Sequence, residues 1–125
     1  MHSLLAVTAL LEGVTGLALV ALPSRLATLL LGSPLDTPAA STLARVAGVA
    51  LIALAVTCWL ARHDGHSRAA RGLLTAMALY HAGVAIVLAY ASIGLALSGL
   101  GLWPTVVFHS AMTAWCLTTS RTLAQ

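Results

Sequence analysis

The chain has 125 residues, 60% of them hydrophobic and 7% charged, with a formal net charge of +3. A soluble domain carries about 25% charged residues, so these side chains cannot clothe a water-facing surface. The positive balance comes from six arginines set between apolar runs, against Glu12, Asp36 and Asp64; that scatter speaks against a nucleic-acid surface and for topology signals flanking membrane helices.

The first apolar run covers residues 4–22 and holds Glu12 close to its middle. A helix of about 20 apolar residues crosses a bilayer core. A cleaved leader would need a basic start and a small-residue cleavage site. Met1-His2-Ser3 carries no Arg or Lys and the run ends in Leu-Pro-Ser, so it reads as a retained helix. Pro23 closes it. Ser24 is placed to cap a short amphipathic turn over residues 25–31, lying in the interface with Arg25 toward water and stopped by Gly32 and Pro34. Pro34 and Pro38 predict irregular chain up to Ser41, a possible cap for the next helix.

Further helices are predicted over residues 43–61, 72–97 and 103–118. Alternating polar and apolar residues, the mark of a membrane β-barrel, are absent. The connection 62–71 holds Arg62, Arg68 and Arg71 and an Asp64-Gly65 turn signal; Arg121 follows the fourth run. The positive-inside rule puts this loop and both termini in the cytoplasm. Trp59 and Trp103 suit the two interfacial belts, and Pro104 suits the first turn of helix four. Small residues spaced along helices two and three, Gly48, Ala78, Ala82 and Ala85 among them, permit close helix approach. Leu11-Glu12-Gly13-Val14 set against Tyr80-His81-Ala82-Gly83, and residues 55–60 against 112–117, hint at two related helical hairpins. Cys58 and Cys116 sit inside apolar runs and read as buried free thiols.

The expected fold is therefore all-α: residues 1–125 as a single domain, a polytopic membrane protein with four transmembrane helices in an antiparallel bundle. Glu12 is the outstanding residue. A charge at a helix centre costs about 2.5–3.5 kcal/mol on insertion, offset by apolar neighbours at about −0.3 to −0.6 each. Ionisable groups in such helices face the bundle interior and mark functional sites. Thr8, Glu12, Thr15 and Gly16 share one face. Thr105, His109 and Thr113 form a second inward stripe, and His81 lies mid-helix. At ~1.5 Å per residue Glu12 and His81 lie at similar depth, with His109 displaced outward by roughly 5–10 Å.

Glu12, His81 and His109, supported by Thr8, Thr105 and Thr113, thus form the expected ligand or proton site. His81 and His109 are also the candidates for a b-type haem or for a zinc or copper ion with Glu12. Arg45 snorkels to the outer interface, too far from Glu12 for a salt bridge. His63 and His66 belong to a solvated turn, and Tyr80, Tyr90 and Met77 read as packing. No G-x-S-x-G, H-E-x-x-H, P-loop or C-x-x-C motif is present.

Residues 16–23, Leu30-Leu31-Gly32, Arg45-Val46-Ala47-Gly48 and Tyr80-His81 give the chain a resemblance to small bacterial four-helix inner-membrane proteins, the DoxX-like and related families. Those families share no settled activity, so the resemblance implies fold and location and transfers no catalytic residue. The expectation is a non-enzymatic protein of the bacterial cytoplasmic membrane. It binds a ligand or partner through the polar pocket, as a homo-oligomer or an accessory subunit of a larger complex. Electron transfer through a haem or metal and proton-coupled transport through Glu12 are the alternatives.

Overall fold

The computed structural model describes residues 1–64 and 67–122. Five helices account for nearly all of them: α1 (His2–Ala21), α2 (Pro23–Leu31), α3 (Pro38–Ala61), α4 (Arg68–Leu95) and α5 (Leu102–Thr122). A helix satisfies its own backbone hydrogen bonds, which hydrocarbon surroundings demand. Three of the helices, α1, α3 and α4, are long and apolar enough to cross a membrane. α5 is of similar length but carries Thr105, His109, Ser110, Thr113 and Thr118 along it. Outward-facing Leu10, Leu79, Ile86 and Ile93 are exposed, a surface that suits lipid and not water.

Several boundaries differ from those expected. The helix expected from residue 43 starts at Pro38, because proline fits the first helical turn and the Thr37 hydroxyl accepts from Ala40 N–H at 3.1 Å. Pro38 therefore begins a helix instead of keeping the chain irregular, and Ser41 is not its cap. The next helix starts at Arg68 instead of residue 72 because the Ser67 hydroxyl accepts from Ala70 N–H at 3.0 Å. It ends at Leu95, where Ala96 turns left-handed at φ 55° and Leu97 N–H returns to Ala91 O. α5 runs to Thr122, past the expected 118. The expected turn 25–31 is the helix α2, with Pro23 in its first turn and Gly32 left-handed at its end. Ser24 does not cap it; its hydroxyl accepts from Leu35 N–H at 3.1 Å and pins the following loop. Gly65 and His66, from the expected turn and His63–His66 pair, lie outside the described residues.

α1 packs chiefly on α3, and α4 on α5, giving two hairpins. Within the first hairpin the backbones touch at Gly16 and Gly48. A Cβ on either glycine would stand 2.7 Å from the other's carbonyl oxygen, so the contact requires their missing side chains.

The hairpins meet in three layers. At the end where α3 hands over to α4, all four long helices fill an apolar core with Leu4, Leu5, Cys58, Leu74, Met77 and Cys116. His2 and His63 stack there with ring centroids 4.7 Å apart, so α1 begins at that same end. The middle layer is polar. Beyond it, toward α2, the hairpins separate around a cavity.

Candidate functional site

The polar layer is assembled from three helices. α1 brings Glu12, α4 brings Tyr80 and His81, and α5 brings His109; Glu12, His81 and His109 are 3%, 0% and 7% exposed. The Tyr80 hydroxyl donates to Glu12 Oε2 at 2.7 Å. The other carboxylate oxygen, Oε1, lies 4.0 Å from His81 Nδ1. His81 Nδ1 and His109 Nδ1 are 2.8 Å apart, so with neutral rings one donates and the other accepts. Glu12, His81 and His109 each offer a ligand atom, and these atoms all lie within 4.8 Å of one another. Aromatic edges wall the cluster: Tyr80 stands edge-on to His109 at 5.8 Å and Phe108 edge-on to His81 at 6.3 Å between centroids.

The three residues singled out from sequence are thus brought together. The expected offset of His109 is not found. Its misplacement came from taking α4 and α5 to turn at one level. Leu95 lies about 21 Å along α4 from His81, whereas Leu102 lies only about 10 Å along α5 from His109. Residues 96–101, none of them buried, run back along the bundle to make up the difference. Gly101 N–H donates to Leu29 O at 2.8 Å, and Leu102 is fully buried.

The threonines divide. Thr8 is buried, one turn from Glu12, and neither its hydroxyl nor His81 Nε2 has a hydrogen-bond partner among the described residues. Thr105 faces the cavity while its hydroxyl donates to Gly101 O at 2.7 Å. The Thr113 hydroxyl is spent on His109 O at 2.8 Å; it braces the backbone and does not join the cluster. Arg45 stays outside, its Nε donating to Val20 O at 3.2 Å near the end of α1, where a cation is favoured.

Tyr80 was expected to be packing, and it is a hydrogen-bonding member of the site. Its ring packs as any aromatic does, and only its place beside His81 hinted at more. Met77 sits in the core and accepts from the Cys58 thiol at 3.4 Å. Cys58 and Cys116 are both free and buried.

The cavity beside the polar layer measures about 490 Å³. Glu12, Tyr80 and His109 of the polar layer line it, with Thr15 and Thr105; Leu26, Leu29 and Leu30 of α2 lie among its apolar walls. Pockets of roughly 300–1,000 Å³ with apolar walls and a few convergent polar groups are the usual form of small-molecule sites. No family model, curated protein or solved structure matches the chain.

Proposed function

We propose that this is a small multi-pass protein of the bacterial cytoplasmic membrane that binds an amphiphilic ligand between its two hairpins, without catalysing a reaction. The ligand's apolar body lies along the leucines of α2 and the walls from α4 and α5, and its polar head meets Glu12, Tyr80 and His109. The observation that carries this reading is the cavity of about 490 Å³, whose mostly apolar walls include Glu12, Tyr80 and His109 of the polar layer. Apolar walls hold a chain or ring by area, and the few polar groups fix its orientation.

In this reading α5 is the fourth span. Its hydroxyls support that placement: Thr105, Ser110, Thr113 and Thr118 each donate to a carbonyl four residues back in the chain, which removes bare donors from hydrocarbon. The connection 62–71 and both termini face the cytoplasm, and α2 lies in the outer interface. An accessory place in a larger membrane complex belongs to the same proposal.

A haem held by both histidines fits the geometry less well, since its macrocycle would have to pass between rings whose Nδ1 atoms are 2.8 Å apart. A carrier would need an opening on the far side of the polar layer, where Leu4, Leu5, Leu74 and Met77 are closely packed.

The test is mass spectrometry of what co-purifies with the intact chain in mild detergent. An amphiphile should accompany the wild type and be lost from Leu88→Trp and Leu51→Trp, which fill the cavity from opposite hairpins. If the wild type carries none, or folded variants carry as much, the reading is wrong.

A further inference from the structure

We infer that Glu12, His81 and His109 are the ligands of one divalent transition-metal ion, of which zinc is the representative. Its open coordination position faces the cavity. The metal site stands on its own geometry; only the role of the open position rests on the ligand-binding reading above.

The argument begins with the carboxylate. Tyr80 occupies Oε2 and so fixes which oxygen is free. Oε1 turns toward the pair of imidazoles, 4.0 Å from His81 Nδ1, beyond hydrogen-bond range. Three potential ligand atoms therefore converge from three helices: one carboxylate oxygen and two imidazole nitrogens, one of which passes its proton to its own ring's Nε2 on binding. Two histidines and one glutamate are a known donor set for zinc with a vacant fourth position, at about 2.0–2.2 Å from the ion. Tetrahedral placement at those lengths puts ligand atoms about 3.3 Å apart. The nitrogens at 2.8 Å must then separate by roughly half an ångström, and the carboxylate must close on His81 by about 0.7 Å and on His109 by up to about 1.5 Å. Side-chain torsions supply movements of that size without shifting a helix.

The ion also answers a problem of charge. A carboxyl in a buried layer either keeps its proton or takes a cation as partner, and Arg45 is engaged at the end of α1. A divalent ion replaces the histidine–histidine hydrogen bond with two nitrogen–metal bonds. It leaves each ring protonated at Nε2. Tyr80 then acts as an orienting partner of a metal ligand, a part whose loss weakens metal affinity about 10–100-fold. Glu12 and His109 both line the cavity, so the vacant position opens there and selects a ligand whose head carries a lone-pair donor such as carboxylate, thiolate or phenolate.

The experiment uses the full chain, stripped with chelator and titrated separately with zinc and with cobalt. The expected result is one zinc per chain by elemental mass spectrometry and, with cobalt, the visible absorption of a four-coordinate site. His81→Gln, His109→Gln and Glu12→Gln should each abolish both while keeping the helical circular dichroism. Tyr80→Phe should keep the stoichiometry and weaken affinity about 10–100-fold. His2→Ala with His63→Ala should change nothing, which separates this site from surface histidines. Absence of stoichiometric binding, or binding undiminished in the three folded ligand variants, overturns the proposal. Leu88→Trp should lose the amphiphile and retain zinc, so the metal site and the ligand reading fail separately.

Discussion

The Tyr80 hydroxyl and the Glu12 carboxylate join across 2.7 Å, and in doing so they tie the second hairpin to the first. Buried hydrogen bonds between membrane helices contribute about 0.6 kcal/mol on average and at most about 1.7. This one lies toward the upper part of that range if Glu12 is ionised, since charge strengthens the bond. Tyr80→Phe should therefore destabilise the protein by about 1 kcal/mol. A double-mutant cycle with Glu12→Ala, which removes the acceptor, read by reversible unfolding in detergent or bicelles, should show coupling of similar size. Additive effects would mean the two groups do not meet.

Gly16 and Gly48 predict a sharper effect. A methyl group on either would stand 2.7 Å from a backbone oxygen of the opposing helix, whereas one on Gly83 would meet nothing within 4 Å. Gly16→Ala and Gly48→Ala should each cost about 1–3 kcal/mol, the usual penalty of overpacking. Gly83→Ala should be neutral or stabilising by up to about 1 kcal/mol, because alanine favours helix over glycine. Thermal unfolding of the three variants side by side checks the order; equal behaviour would refute the close crossing.

Sequence reading found the polar layer because ionisable groups inside apolar runs are rare and must turn inward: Glu12, His81 and His109 stood out for that reason alone. Tyr80 did not, since a phenol packs as readily as it bonds. Gly48 was legible as a small residue at an interface, but Gly16 was assigned only to the polar face, because one helix does not reveal which neighbour it meets. The depth of His109 depended on the descent of residues 96–101, a tertiary contact with Leu29 that no local pattern encodes. The cavity was invisible for the same reason. It is the space left where two hairpins part, and its walls come from α1 to α5.

α2 is held over the cavity by contacts that glycine makes possible. Gly99 presses on the backbone of Leu30, where a Cβ would stand 2.2 Å from the carbonyl carbon, and Gly32 adopts φ 80° with Ser98 O against it. No alanine fits at position 99 without moving α2 from the connection that follows α4. Gly99→Ala should therefore release α2. Hydrogen exchange of residues 23–31 should rise by an order of magnitude or more, about 1.4 kcal/mol per tenfold, with α1 and α3 unchanged. Retained protection of α2 would show that its docking does not depend on this contact.

The last prediction concerns orientation. Arg62, Arg68, Arg71 and Arg121 belong to one end of the bundle and Arg25 and Arg45 to the other, and the positive-inside rule predicts the richer end on the cytoplasmic side. Cys58 and Cys116 are fully buried, so the native chain is its own silent background for thiol labelling. Ser33 and Thr122 are exposed at opposite ends. In spheroplasts, Ser33→Cys should react with a membrane-impermeant maleimide, and Thr122→Cys should react only after permeabilisation. The wild type should label only after denaturation in SDS. The reverse pattern for the two introduced cysteines would invert the topology. Labelling of both from outside would remove α5 as a spanning helix and place the end of the chain beside α2.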